Sequence, residues 1–108
     1  MVKRVASVQP PKKPKTPVSG PVRGKATIVN QRGLHARAAA RLAQLAEGFD
    51  VELMVEGNGL TVSALSIMDL LLLAAAPGTE IEVIGTGKGA DDAVSALVAL
   101  IESGFDED

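Results

Sequence analysis

A chain of 108 residues, 46% of them hydrophobic, has room for one small domain with its own core, and the absence of cysteine excludes disulfides, thiolate metal sites and cysteine nucleophiles. The formal net charge of -2 conceals two unlike parts: residues 1–25 carry seven bases and no acid, while residues 26–108 carry four bases against thirteen acids. An acidic body whose only aromatics are Phe49 and Phe105 offers neither the basic face that phosphate backbones require nor a stacking platform for bases, so no nucleic-acid partner is expected.

Residues 1–22 hold five of the six prolines among lysines and small residues, a composition that cannot bury enough apolar surface to offset ordering. They read as a disordered basic arm, a solvated extension or a contact for an anionic surface, leaving residues 23–108 as the domain. No apolar signal core follows the N-terminal lysines, and the longest apolar run, from Leu70 to Pro77, is far below the roughly 20 residues a membrane helix needs. A cytoplasmic monomer is expected.

From Lys25 the pattern becomes regular. Ala26 and Ile28 alternate with Thr27 and Val29 as a strand, which ends in the loop-forming run Asn30-Gln31-Arg32-Gly33. Ala36 to Glu47 forms a helix with Ala38, Leu42, Leu45 and Ala46 on one stripe and Gly48 as its stop. Val51, Leu53 and Val55 alternate with Glu52, Met54 and Glu56, and Gly57-Asn58-Gly59 turns them into a strand from Leu60 to Ser63. Ser66 and Asp69 have the serine-x-x-acid spacing of a helix start, and the leucine run continues through Leu73 until Pro77-Gly78. Glu80 to Thr86 alternates again with Ile81, Val83 and Gly85 on one side, and Ala90 to Ser103 carries the stripe Val94, Leu97, Val98 and Ile101. The order β-α-β-β-α-β-α predicts an α+β fold, a four-stranded, mainly antiparallel sheet with three helices on one face. Asp106-Glu107-Asp108 reads as an acidic, solvated end.

His35, the only histidine, stands between the loop and the first helix, with Arg37 two residues on. A helix N-terminus presents unpaired N–H groups and partial positive charge, so a phosphoryl group on His35 would meet backbone donors and a guanidinium. The same spacing also suits a surface histidine acting only as a helix cap. Gly85-Thr86-Gly87-Lys88-Gly89 fits neither the dinucleotide fingerprint nor the Walker form, and no cofactor or metal is expected.

Gly33-Leu34-His35-Ala36-Arg37, then Ser66-Ile67-Met68, then the order of elements resemble the HPr family, the histidine-containing phosphocarriers of the phosphotransferase systems, over about residues 24–104. The resemblance implies that His35 accepts a phosphoryl group on Nδ1 from phosphorylated enzyme I and passes it to an enzyme IIA, with Arg37 as charge partner. It implies a carrier rather than an enzyme. Ser66 matches the serine that a dedicated HPr kinase modifies in some branches, beside its plainer reading as a helix cap. Leu34, Ile67, Met68 and Leu71 match exposed apolar contacts for enzyme I, beside their plainer reading as core. Two positions depart from the family pattern: Ala38 replaces a common proline, which loosens the first helical turn, and Asp69 puts a negative charge where glycine or a base is common. Ser103-Gly104-Phe105-Asp106-Glu107-Asp108 resembles the terminus of homologues in the nitrogen-related branch. The competing functions are an HPr-like module that regulates a partner by docking alone, and a small-ligand domain with His35 as an incidental cap.

Overall fold

The computed structural model describes residues 20–107, so most of the basic arm lies outside the described residues. The elements are β1 (Val22–Thr27), α1 (Ala36–Glu47), β2 (Glu52–Gly57), β3 (Leu60–Ser63), α2 (Ile67–Leu72), β4 (Glu80–Thr86) and α3 (Ala90–Glu102). The strands form one sheet in the order β1-β4-β2-β3, with every adjacent pair antiparallel. This is the α+β architecture that the alternation and helical stripes predict.

Strand pleating sends Ala26, Leu53, Val55, Val62, Ile81 and Val83 to the buried face beneath the helices. The open face carries cross-strand ion pairs, Arg23 to Glu82 at 3.0 Å and Lys25 to Glu80 at 4.0 Å. β1 begins at Val22, ahead of the alternation read from Lys25, because Gly24 occupies an inward position and hides the period. That glycine and Gly85 let α3 approach the sheet: a Cβ at either would lie 2.8 Å from a methyl of Val94. Of the glycine-rich run before α3, Gly85 serves this packing and Gly89 is the left-handed N-cap at φ +90°. Asn58 and Gly59, at φ +49° and +83°, form the two-residue hairpin turn between β2 and β3.

α2 ends at Leu72, well before the proline expected to stop it. Ala74 enters the left-handed region at φ +51°, and Asn58 Nδ2 donates to the Leu73 carbonyl at 2.8 Å, satisfying a group the helix end leaves free. α3 closes with a Schellman motif. Gly104 N–H donates to Ile101 O at 3.0 Å and Phe105 N–H to Leu100 O at 2.9 Å, with Gly104 at φ +75°. Phe105 then turns fully into the core, where it is among the largest completely buried side chains.

Candidate functional site

The site grows from the loop between β1 and α1. Gly33 is at φ +68°, and a Cβ there would lie 2.6 Å from the backbone oxygen of Ala75, so only glycine lets this loop reach the segment between α2 and β4. Leu34 N–H seals that approach by donating to Ala75 O at 2.9 Å. Asn30 Nδ2 ties the loop to itself by donating to Gly33 O at 2.8 Å. His35 is thereby delivered to the N-cap of α1 with extended backbone, φ −88° and ψ −178°, its carbonyl accepting the first helical bond from Ala39 N–H at 2.8 Å.

A typical capping side chain would accept a bond from the second or third N–H of the helix. His35 does not: its side chain makes no such bond. The imidazole Nε2 instead meets Glu107 Oε2 in a short contact, and Glu107 Oε1 accepts from Asn30 Nδ2 at 3.0 Å. Burial alone would push the Glu107 carboxyl up, but the hydrogen bonds from His35 and Asn30, with the charges of His35 and Arg32, hold it below its ordinary 4.5. The group is a carboxylate at neutral pH. An acceptor-only carboxylate can bond Nε2 only if Nε2 carries a hydrogen, which leaves Nδ1 of the neutral ring with its lone pair free.

Glu107 arrives there because the tail is fixed, contrary to its expected solvated character. Phe105 and Asp106 follow Gly104 in the left-handed region at φ +58° and +59°. For phenylalanine that conformation is strained, and it persists because the surroundings impose it. Arg41 of α1 donates to the Phe105 carbonyl, Asp106 N–H donates to Ser103 Oγ at 3.3 Å, and Glu107 N–H donates to Gly104 O at 3.1 Å.

Arg37 is exposed in the first turn of α1, which contains no acidic residue, and it makes no ion pair among the described residues. Ser66 is the N-cap of α2 and its Oγ accepts from Asp69 N–H at 3.2 Å. Leu34, expected on the apolar contact surface, is 5% exposed and belongs to the core, because the loop must turn it inward to bring Gly33 against Ala75. Ile67, Met68 and Leu71 are exposed as expected, and Leu65 and Leu72 extend their patch. Sequence reasoning missed Asn30, Arg41, Phe105 and Glu107. The signal for the last two was present in Gly104 directly after a helical stripe, followed by one of only two aromatics.

A family model described as "PTS HPr component phosphorylation site" matches residues 22–103. The chain belongs to the HPr family of the phosphotransferase system. Its relatives include the phosphocarrier protein NPr of Escherichia coli K12, 44% identical over 82 residues, covering 75% of this chain and 91% of that protein. The phosphocarrier protein HPr of Cupriavidus necator is 43% identical over 81 residues, with 75% and 91% coverage. Among solved structures, an HPr from Thermoanaerobacter tengcongensis superposes with a TM-score of 0.76 at 37% identity, covering 81% of this chain and 98% of that one. HPr-family proteins are phosphocarriers of this system rather than catalytic enzymes. Among the described residues no helix is long and apolar enough to cross a membrane, and no side-chain group is arranged to hold a metal ion.

Proposed function

We propose that His35 is the phosphoryl acceptor, taking the group on Nδ1 from phosphorylated enzyme I and yielding it to an enzyme IIA. The observation that carries this reading is the first turn of α1. It combines a positive helix end, one arginine, no acid, and an N-cap side chain that leaves the backbone donors unclaimed. An arginine in that position is unfavourable against the helix dipole until an anion joins it. A phosphoryl group on Nδ1 supplies that anion, and Arg37 binds it by charge-assisted hydrogen bonds.

The exposed patch of Ile67, Met68 and Leu71 provides the apolar contact for the phosphorylated donor, and α2, which carries it, packs on α1. The regulatory, nitrogen-related branch is favoured by the tail Gly104-Phe105-Asp106-Glu107-Asp108 and by relatives named NPr. Ser66 is the candidate for regulatory phosphorylation. Its hydroxyl stands at a helix start that tolerates a phosphate, although the Asp69 carboxylate beside it opposes the added charge. Incubation with enzyme I and phosphoenolpyruvate, followed by intact-mass measurement, should show one added phosphate that is acid-labile and base-stable. His35→Ala should abolish it, and persistent labelling of that variant would place the acceptor elsewhere.

A further inference from the structure

We propose that Glu107 is a positioning residue for phosphoryl acceptance: its carboxylate, steadied by Asn30, fixes the His35 ring and its tautomer so that Nδ1 is the nucleophile. The proposal rests on His35 being the acceptor. Three observations carry it. Glu107 Oε2 bonds Nε2, the ring nitrogen that does not take the phosphate in that reading. Its other oxygen is held at 3.0 Å by Asn30 Nδ2, and Asn30 is itself 7% exposed and bonded to Gly33 O at 2.8 Å, so the carboxylate cannot swing freely. The backbone that delivers it runs through two consecutive left-handed non-glycine residues, a conformation maintained by the buried Phe105 ring and the Arg41 bond to the Phe105 carbonyl.

The chemistry follows the logic of any nucleophile whose ring is oriented by a third group. The Nδ1 lone pair forms the bond to phosphorus, and the bond from phosphorus to the donor atom breaks with its electron pair leaving on the donor. The phosphoryl oxygens pass over intact. Nε2 keeps its hydrogen throughout, and the positive charge that grows on the ring as Nδ1 is substituted faces the Glu107 carboxylate. On transfer to the next protein the same pair returns to Nδ1 and the ring becomes neutral again, still hydrogen-bonded through Nε2. A ring free to take the other tautomer would have a hydrogen on Nδ1 and could not attack from it.

The test uses the full chain with Glu107→Ala and Glu107→Gln. Nitrogen NMR of the unphosphorylated protein, well above the imidazole titration range, reads the His35 tautomer, and phosphorylation by enzyme I reads the rate. In the parent protein the Nε2–H form is expected alone. Glu107→Ala should show the Nδ1–H form as well and slow acceptance roughly tenfold to a hundredfold. Glu107→Gln, which keeps an acceptor oxygen without the charge, should fall between. A tautomer and a rate in Glu107→Ala identical to the parent would overturn the proposal, leaving the contact a tether for the tail. A parent protein that takes no phosphate would instead overturn the acceptor reading on which the proposal rests, and the NMR result would still show whether Glu107 orients the ring.

Discussion

Replacing Phe105 by alanine removes the side chain that anchors the tail, and its cost can be worked from the structure. The ring is completely buried. An aromatic side chain buries about 150–250 Å², and at about 25 cal/mol per Å² truncation to alanine forfeits most of a term near 4 kcal/mol. Measured phenylalanine truncations in cores cost about 3–5 kcal/mol, which agrees. A domain of this size has a stability of only about 4–13 kcal/mol, and each kcal/mol shifts Tm by roughly 4–8 °C. Phe105→Ala should therefore lower Tm by at least about 12 °C, with the free energy read from urea unfolding followed by circular dichroism. The same variant frees the backbone that carries Glu107, so the His35 ring resonances should lose their single tautomer at a temperature where the protein is still folded. A change within about 0.5 kcal/mol, typical of surface positions, would refute the account of the tail as an anchored element.

Gly33→Ala forces an L-residue into the left-handed region and presses its Cβ on the Ala75 carbonyl at 2.6 Å, so a loss of about 2–4 kcal/mol is expected in urea unfolding, with displacement of His35 in its NMR shifts. Arg37→Ala should slow phosphoryl transfer roughly tenfold to a hundredfold in quench-flow while Tm stays nearly unchanged, and Arg37→Lys should rescue it only in part, because a point charge does not reproduce the planar fork. Glu107 has a folded pKa below its unfolded value near 4.5, so the stability linked to it is present above that value and is lost as pH falls through the folded one. The difference in unfolding free energy between the parent and Glu107→Gln should accordingly shrink as the pH falls from about 4.5 through the folded value. Deleting residues 1–19, which precede both β1 and the matched span 22–103, should leave Tm and phosphoryl acceptance unaltered.

Period-two and helical-stripe patterns made most of the fold legible, because this sheet has one buried face and its strands alternate accordingly. Leu53, Val55, Ile81 and Val83 point inward where the alternation placed them. Where the pattern failed, glycine was the cause: Gly24 packs inward yet reads as a break, so β1 seemed to start three residues late. α2 ended early for a non-local reason, since the group that caps it, Asn58, belongs to a hairpin 15 residues away. Leu34 could not be assigned from local sequence because its burial follows from a loop contact with Ala75. The site divided in the same way. His35 and Arg37 form a local motif and were visible; the Glu107 contact spans 72 positions and depends on Phe105 finding the core, which no periodicity encodes.

The surroundings of the imidazole come from distant parts of the chain: His35 stands at the N-cap of α1, and the C-terminal tail meets its Nε2 through Glu107. The tail is carried by α3, which packs closely over Gly24 of β1 and Gly85 of β4. An unfolded or partly folded chain would present the same histidine without an oriented ring or an anion site. Phosphoryl acceptance should therefore report on the native tail as well as on His35, and substitutions at Phe105 or Arg41, which never touch the phosphate, should slow transfer before they unfold the protein.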